Sequence, residues 1–281
     1  MEDLYANSFS RNIGVISEKE QEALRNSRVT IVGVGGVGGI AAIQCARMGI
    51  GTMHIIENDE FEASNLNRQM LSFVSRLGHP KAKVAEEMVK DINPSARITT
   101  SQEWITEENA DRLLDGSDIV IDATDNLVTR VIIHRAAYRL GIPSVWIAVT
   151  PPFRGGVMTF TPDAEPYEVV LRHPSHGLEL TEDVRRAISA IKNERALYSV
   201  KMGASMDWAD QYVQGKCAWT VMSPVANIVG ILASFEAFKM IVKRPGLEPA
   251  VAPQLVRVDL ADTEMVKRLV PTEGTWDNAT L

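Results

Sequence analysis

Arg28-Val29-Thr30-Ile31-Val32-Gly33-Val34-Gly35-Gly36-Val37-Gly38-Gly39 is an apolar, β-branched run that breaks into glycines, after which a helical pattern continues to Met48. This order predicts a strand, a tight turn and a helix over Gly39 to Met48 that stops at Gly49. Such a turn lets backbone N–H groups and the positive end of the helix dipole face a phosphate, because side chains that would block the approach are missing. The next strand, His54-Ile55-Ile56, ends at Glu57, near the spacing at which an acidic residue meets a ribose hydroxyl. A nucleotide site is expected here. The glycines alone leave its nucleotide open, since dinucleotide dehydrogenases use nearly the same turn.

Working outward, Asn7 to Ile16 forms a short arm, and Ser17 with Glu20 makes a capping box that starts a helix. After Glu57, the stretch Asn58 to Gln69 is too rich in carboxylates and amides to be a core element. It sits where open α/β sheets keep their ligands, at the carboxyl end of a strand. Gly78-His79-Pro80-Lys81 opens an amphipathic helix reaching Ile92, Arg97 to Gln102 alternates as a strand, and Thr106 to Leu114 reads as a helix. Asp118 to Thr124 is a buried parallel strand followed by Asp125-Asn126 and a helix over Val128 to Leu140; Ser144 to Val149 is the next strand. This alternation predicts a Rossmann-like, mostly parallel α/β sheet with helices on both faces.

From Thr150 the pattern changes. Gly155 to Thr161 and Leu255 to Asp259 are expected as strands of a smaller antiparallel portion, Leu178 to Leu197 as a charged helix on an insertion, and Ser223 to Val242 as a long helix packed across the whole. The organisation expected is therefore an arm and helix over 1–27, a nucleotide-binding region over 28–150, an antiparallel extension over 151–270 with a crossover insertion at 163–216, and a loose tail over 271–281.

The chain has 281 residues, 45% hydrophobic and 23% charged, which suits a globular protein with a full core. Its net charge of −7 speaks against general affinity for nucleic acid or an anionic membrane. The two cysteines, Cys45 and Cys217, form no Cys-x-x-Cys pair, so no zinc site or disulfide framework is expected. Asn227, Ser234, Glu236 and Lys239 interrupt the apolar stretch from Val221 to Val242, so a buried helix is expected there rather than a membrane span. With an acidic start that lacks a secretory signal, a cytoplasmic location is expected.

Taken in order, Phe9-Ser10-Arg11-Asn12, the glycine turn, Glu57-Asn58-Asp59, Ser64-Asn65-Leu66-Asn67-Arg68-Gln69, Gly78-His79-Pro80-Lys81 and Asp122-Ala123-Thr124-Asp125-Asn126 carry a resemblance. The sequence resembles the ubiquitin-activating-enzyme-like adenylyltransferases, the ThiF/MoeB/HesA family, from Ser10 to about Val270. The resemblance implies a Rossmann-like homodimer that uses ATP and Mg²⁺ to activate a carboxylate as an acyl adenylate with release of pyrophosphate. It implies that Gly33, Gly35, Gly36 and Gly38 let the backbone close on ATP, that Glu57 holds the ribose where relatives commonly carry Asp, and that Asp59 and Asn126 belong to the nucleotide site. Asn65, Arg68 and Lys81 are then phosphate contacts, Asp125 is the Mg²⁺ ligand, and Arg11 is donated into the partner subunit's site. Arg11, Arg68, Lys81 and Asp125 are the expected catalytic set.

Cys217 stands where some members use a cysteine for acyl or sulfur transfer; a buried packing role is the alternative. Many relatives bind zinc through two Cys-x-x-Cys pairs; here Trp208 and Trp219 are candidates to hold that region by packing. The insertion, with Arg172, His173, His176, Arg185 and Arg186, suits a lid over the acyl channel, or a solvated helix without such a role. The acyl partner that the resemblance implies is the C-terminus of a small ubiquitin-like sulfur carrier or of a peptide. A tRNA threonylcarbamoyladenosine dehydratase-like activation of a nucleoside carboxylate is the alternative, as are an NAD-dependent oxidoreductase and a non-catalytic family scaffold.

Overall fold

A computed structural model describes residues 4–270; the tail expected at 271–281 and the first three residues of the arm lie outside the described residues. The chain enters through α1 (Leu4–Phe9), a single 3₁₀ turn at Ser10–Asn12, and α2 (Glu18–Asn26). The capping box is present: Ser17 accepts from the Glu20 N–H, and the Glu20 carboxylate accepts from the Ser17 N–H at 2.7 Å.

β1 (Arg28–Val32), α3 (Gly38–Met48), β2 (Thr52–Ile56), α4 (Lys81–Ile92) and β3 (Arg97–Ser101) follow, then α5 (Ala110–Leu114), β4 (Ile119–Asp122), α6 (Leu127–Leu140) and β5 (Ser144–Thr150). α5 is shorter than the expected Thr106 to Leu114. The Asn109 side chain bonds the Thr106 N–H and the Trp104 carbonyl, closing a turn on itself ahead of the helix. The antiparallel half consists of β6 (Arg154–Phe160), α7 (Tyr167–Val170), α8 (Glu182–Lys201), α9 (Met206–Val213), α10 (Ser223–Val242), β7 (Leu255–Asp259) and β8 (Val266–Leu269). α8 starts four residues later than expected because Thr181 caps it, accepting from the Val184 N–H, with Glu182 and Asp183 in its first turn.

All eight strands form one sheet in the order β3-β2-β1-β4-β5-β6-β7-β8. The first five are parallel and the last three are joined antiparallel. β1 and β4 are buried nearly throughout, as strands covered on both faces require. Because β2 and β3 lie on one side of β1 and β4 and β5 on the other, the order reverses between β1 and β4, and the crevice at their carboxyl ends is where ligands bind in such sheets.

α10 passes over α3, β4, β5 and β6. Two glycines allow its close approach: a Cβ on Gly230 would lie 2.2 Å from Ile40 Cγ2, and one on Gly155 would lie 2.5 Å from Val229 Cγ2. Glu236, buried in this apolar helix, pairs with Lys239 at 2.6 Å and accepts from the Ala250 N–H at 2.7 Å. Its burial is thereby compensated, and it ties the helix to the strand connection before β7. At the end of α10, Arg244 forks onto Glu20 at 2.6 and 2.7 Å, fastening the capping box of α2 to the helix. That guanidinium, with the Ser17 bonds, holds the Glu20 carboxyl down to about 2.

Candidate active site

The glycine turn leaves β1 with Gly33 at a φ of 85°, the left-handed conformation that favours glycine. Gly33, Gly35 and Gly36 line a cavity of about 760 Å³ at the carboxyl ends of β2, β1, β4 and β5. Gly38 does not line it. A Cβ there would lie 1.8 Å from the Gly33 carbonyl oxygen, so this glycine lets the start of α3 fold tightly against the turn.

Glu57 reaches back to the turn: one oxygen accepts from the Val34 N–H at 3.0 Å, the other from the Asn58 and Asp59 N–H groups at 2.9 and 3.0 Å. A carboxylate has about four acceptor positions, so one remains beside the cavity for a hydroxyl. The polar loop after it is stitched to the start of α4 by Phe61 and His79, Gly78 and Phe61, and Lys81 and Asp59 backbone bonds. This places Lys81, the first residue of α4, inside the cavity with its side chain only 8% exposed and its Nζ 3.1 Å from Asp59 Oδ2.

Asn65 is buried and accepts from the Glu62 N–H at 3.0 Å, closing the 3₁₀ turn Ala63–Asn65. Half-buried Arg68 packs its stem toward Gly36 and donates to the Ser64 carbonyl at 2.9 Å and to Asn67 at 2.8 Å. Gln69, which has no role in the sequence reading, is buried beside Gly35 with an Oε1 that has no partner among the described residues. The amide's Nε2 is the end nearest Gly35, and an orphaned acceptor on a residue that lines the cavity fits a site completed by a ligand's donor or by a bound water.

After β4, the structure separates Asp125 from Asn126. Asn126 caps α6, accepting from the Val128 and Thr129 N–H groups at 2.9 and 3.1 Å. The Asp125 side chain is thus released from capping and stands 95% exposed, with Lys192 Nζ 4.0 Å away. One exposed carboxylate on the rim of a cavity lined by cations is a donor set that fits Mg²⁺, which takes one or two carboxylates and completes its shell with substrate phosphates and water. Among the described residues no group of three or more His, Cys, Asp or Glu side chains is arranged to hold a metal by itself.

Arg11 and Cys217 are not brought to the cavity. Arg11 is exposed on its 3₁₀ turn and is not among the residues that line the cavity of its own chain. Cys217 is half-buried, its Sγ directed at the Trp208 carbonyl at 3.7 Å. Trp208, Tyr212 and Trp219 cluster with ring centroids 5.1 to 5.8 Å apart, and Trp219 donates to the Val149 carbonyl at 3.1 Å, which makes it a cavity wall.

Three cations absent from the sequence reading also line the cavity: Arg130, Lys192 and Arg195. Arg130 donates to the Thr124 and Ile147 carbonyls, tying the loop after β4 to β5. Lys192 and Arg195 project from α8, within the insertion. Burial lowers the Lys192 ammonium from its ordinary range and brings Arg195 down to about 10. The signal lay in the helical spacing, because Arg195 occupies the buried stripe of Ile188, Ile191 and Ser199, a position for an apolar residue. His173, by contrast, is a buried structural group bonded to Ser175 at 3.0 Å, beside the Glu168–Arg135 ion pair.

The model of the ThiF family matches residues 9–274. The chain is 34% identical over 138 residues to the tRNA threonylcarbamoyladenosine dehydratase of Bacillus subtilis (strain 168), covering 49% of this chain and 54% of that protein. It is 37% identical over 145 residues to the sulfur carrier protein adenylyltransferase of Thermus thermophilus, covering 52% of this chain and 53% of that one. The chain thus spans about half the length of these curated relatives. Among solved structures, E. coli MccB with ATP is similar in fold, with a TM-score of 0.70 at 18% identity over 95% of this chain and 72% of that one. A match over nearly the whole chain, to a sheet whose glycine turn, Arg68, Lys81 and Asp125 meet in one cavity, establishes that the chain belongs to the ThiF family.

Proposed function

We propose that this chain is an ATP-dependent adenylyltransferase that activates a carboxylate, the C-terminus of a small ubiquitin-like or sulfur-carrier protein or of a peptide. The observation that carries this reading is the convergence of buried Lys81, Arg68 and exposed Asp125 on the glycine turn in a single cavity. ATP lies with its ribose at Glu57 and its phosphates along Gly33, Gly35 and Gly36. Lys81 exchanges Asp59 for a phosphate oxygen, Arg68 forks across two oxygens, and Asn65 and Gln69 border the same space. Asp125 holds Mg²⁺, which supplies charge neutralisation at the phosphates.

In the reaction, a carboxylate oxygen forms a bond to the α-phosphorus. The bond from that phosphorus to the bridging oxygen breaks, and pyrophosphate leaves with the electron pair. No proton need move, so positioned cations rather than a general base are what the step requires. Arg11, exposed and outside the lining of its own cavity, completes the site of a second copy in a homodimer. Transfer of the acyl group to Cys217 would require the segment after α9 to carry the thiol from the Trp208 carbonyl into the cavity.

A nucleoside carboxylate is a second reading, favoured by the similarity to the dehydratase of Bacillus subtilis. Exchange of labelled pyrophosphate into ATP, measured with a panel of small carrier proteins, peptides and tRNA, tests the reading and names the acid. Exchange that depends on one class of acid supports adenylation. Tight NAD⁺ binding without ATP binding would overturn it in favour of an oxidoreductase, and binding of ATP without exchange under any acid would favour a scaffold.

A further inference from the structure

The cavity is lined by two groups of cations from different parts of the chain. Arg68 and Lys81 come from the segment after β2, and they flank the glycine turn. Lys192 and Arg195 come from α8 and face the loops after β4 and β5, where Asp125, Asn126 and Thr150 also line the cavity. The two lysines differ in how they are satisfied. Lys81 has a partner within hydrogen-bond range, Asp59 at 3.1 Å. Among the described residues Lys192 has only Asp125 at 4.0 Å, beyond a hydrogen bond, and the two are unequally placed: the lysine side chain is 26% exposed, the carboxylate 95%. An ammonium drawn in from water beside the positive charges of Arg130 and Arg195, and facing a carboxylate that stays in water, is poised for an anion that enters the cavity.

The order of the strands says which anion. With the ribose at Glu57 after β2, the phosphates across the turn after β1 and the metal at Asp125 after β4, as proposed above, the α8 side of the cavity is left for whatever joins the nucleotide at its α-phosphate. We infer that Lys192 receives the acyl group: it binds the incoming carboxylate and then the carbonyl oxygen of the adenylate, with Arg130 and Arg195 as the positive floor beneath it. This rests on the adenylation reading above. In that setting, two anions must meet before a bond can form, and a cation on the acyl side offsets their repulsion. It also gives the insertion a role in the chemistry, since α8 supplies the residue from outside the Rossmann-like half.

The test is calorimetric titration of the full chain with ATP and with 5′-O-(N-acetylsulfamoyl)adenosine, an uncleavable mimic of an acyl adenylate, using wild type, Lys192→Met and Lys192→Arg. Lys192→Met should weaken the mimic about tenfold or more while changing ATP affinity less than about threefold, and Lys192→Arg should recover most of the loss. Melting temperatures check that both variants fold, which is expected because Lys192 gives up only the long contact to Asp125. Undiminished binding of the mimic by Lys192→Met, or equal losses for both ligands, overturns the inference while adenylation stands. Failure of the wild type to bind either ligand overturns both.

Discussion

Gly38 is the residue on which the turn depends. A methyl group there would sit 1.8 Å from the Gly33 carbonyl oxygen, a backbone atom that cannot swing aside. Gly38→Ala should therefore cost about 3 kcal/mol or more and remove ATP binding, seen as a lowered melting midpoint and a flat calorimetric titration. Asp125→Ala is the opposite case: its side chain is 95% exposed, so the variant should melt as the wild type does yet lose pyrophosphate exchange, and unchanged exchange would remove Asp125 from the metal role. The sequence showed Asp125-Asn126 as a pair but not which of them caps α6, because either side chain can accept from the first helical N–H groups. Lys192 and Arg195 were illegible for a related reason. On a helix with charges along its length, the two that turn inward look like their solvated neighbours until the helix is placed against the sheet.

At the scale of elements, the strand and helix starts written in local chemistry were legible: the Ser17–Glu20 box, the glycine turn, and the glycine that ends α3. α7, α9 and β8 were not, because each is short and takes its stability from packing or pairing with another element rather than from a pattern of its own. α7 is an example: Tyr167 stacks on His134 of α6 at 4.4 Å, and Glu168 bonds Arg135 at 2.8 Å. His173, just after it, has its imidazole lowered from 6.5 to about 4, first by burial, with Arg195, Arg135 and His134 adding to the effect and Glu168 opposing it. The folded state thus holds this histidine neutral. The stability it contributes is complete above 6.5 and is lost as the pH falls toward about 4, an effect of at most about 3 kcal/mol. Urea unfolding at pH 7 and pH 4.5 should show a smaller acid-induced loss in His173→Asn than in wild type. The comparison isolates this group, because His54 is shifted in the same direction and is present in both.

For the whole molecule, alternation of strand and helix foretold the parallel half and the change of pattern after Thr150 foretold the antiparallel one. Strand order could not be read, since buried parallel strands are similar apolar runs and none of them names its neighbour. The sequence also could not show how Arg11 relates to the cavity; the structure leaves it exposed and outside the cavity lining of its own chain. Mixed dimers of Arg11→Ala and Lys81→Ala chains should regain about half of the wild-type exchange rate per dimer, because one of the two composite sites is whole. A verified mixed dimer without rescue would reject donation across the interface. Calorimetric titration of ATP with Mg²⁺ against the wild type and an Arg68→Ala/Lys81→Ala variant, with NAD⁺ as the comparison ligand, tests the central claim most directly. The wild type should bind ATP and not NAD⁺, and the double variant should lose about a hundredfold or more in affinity. Tight NAD⁺ binding in place of ATP, or unchanged ATP affinity without the two cations, would contradict it.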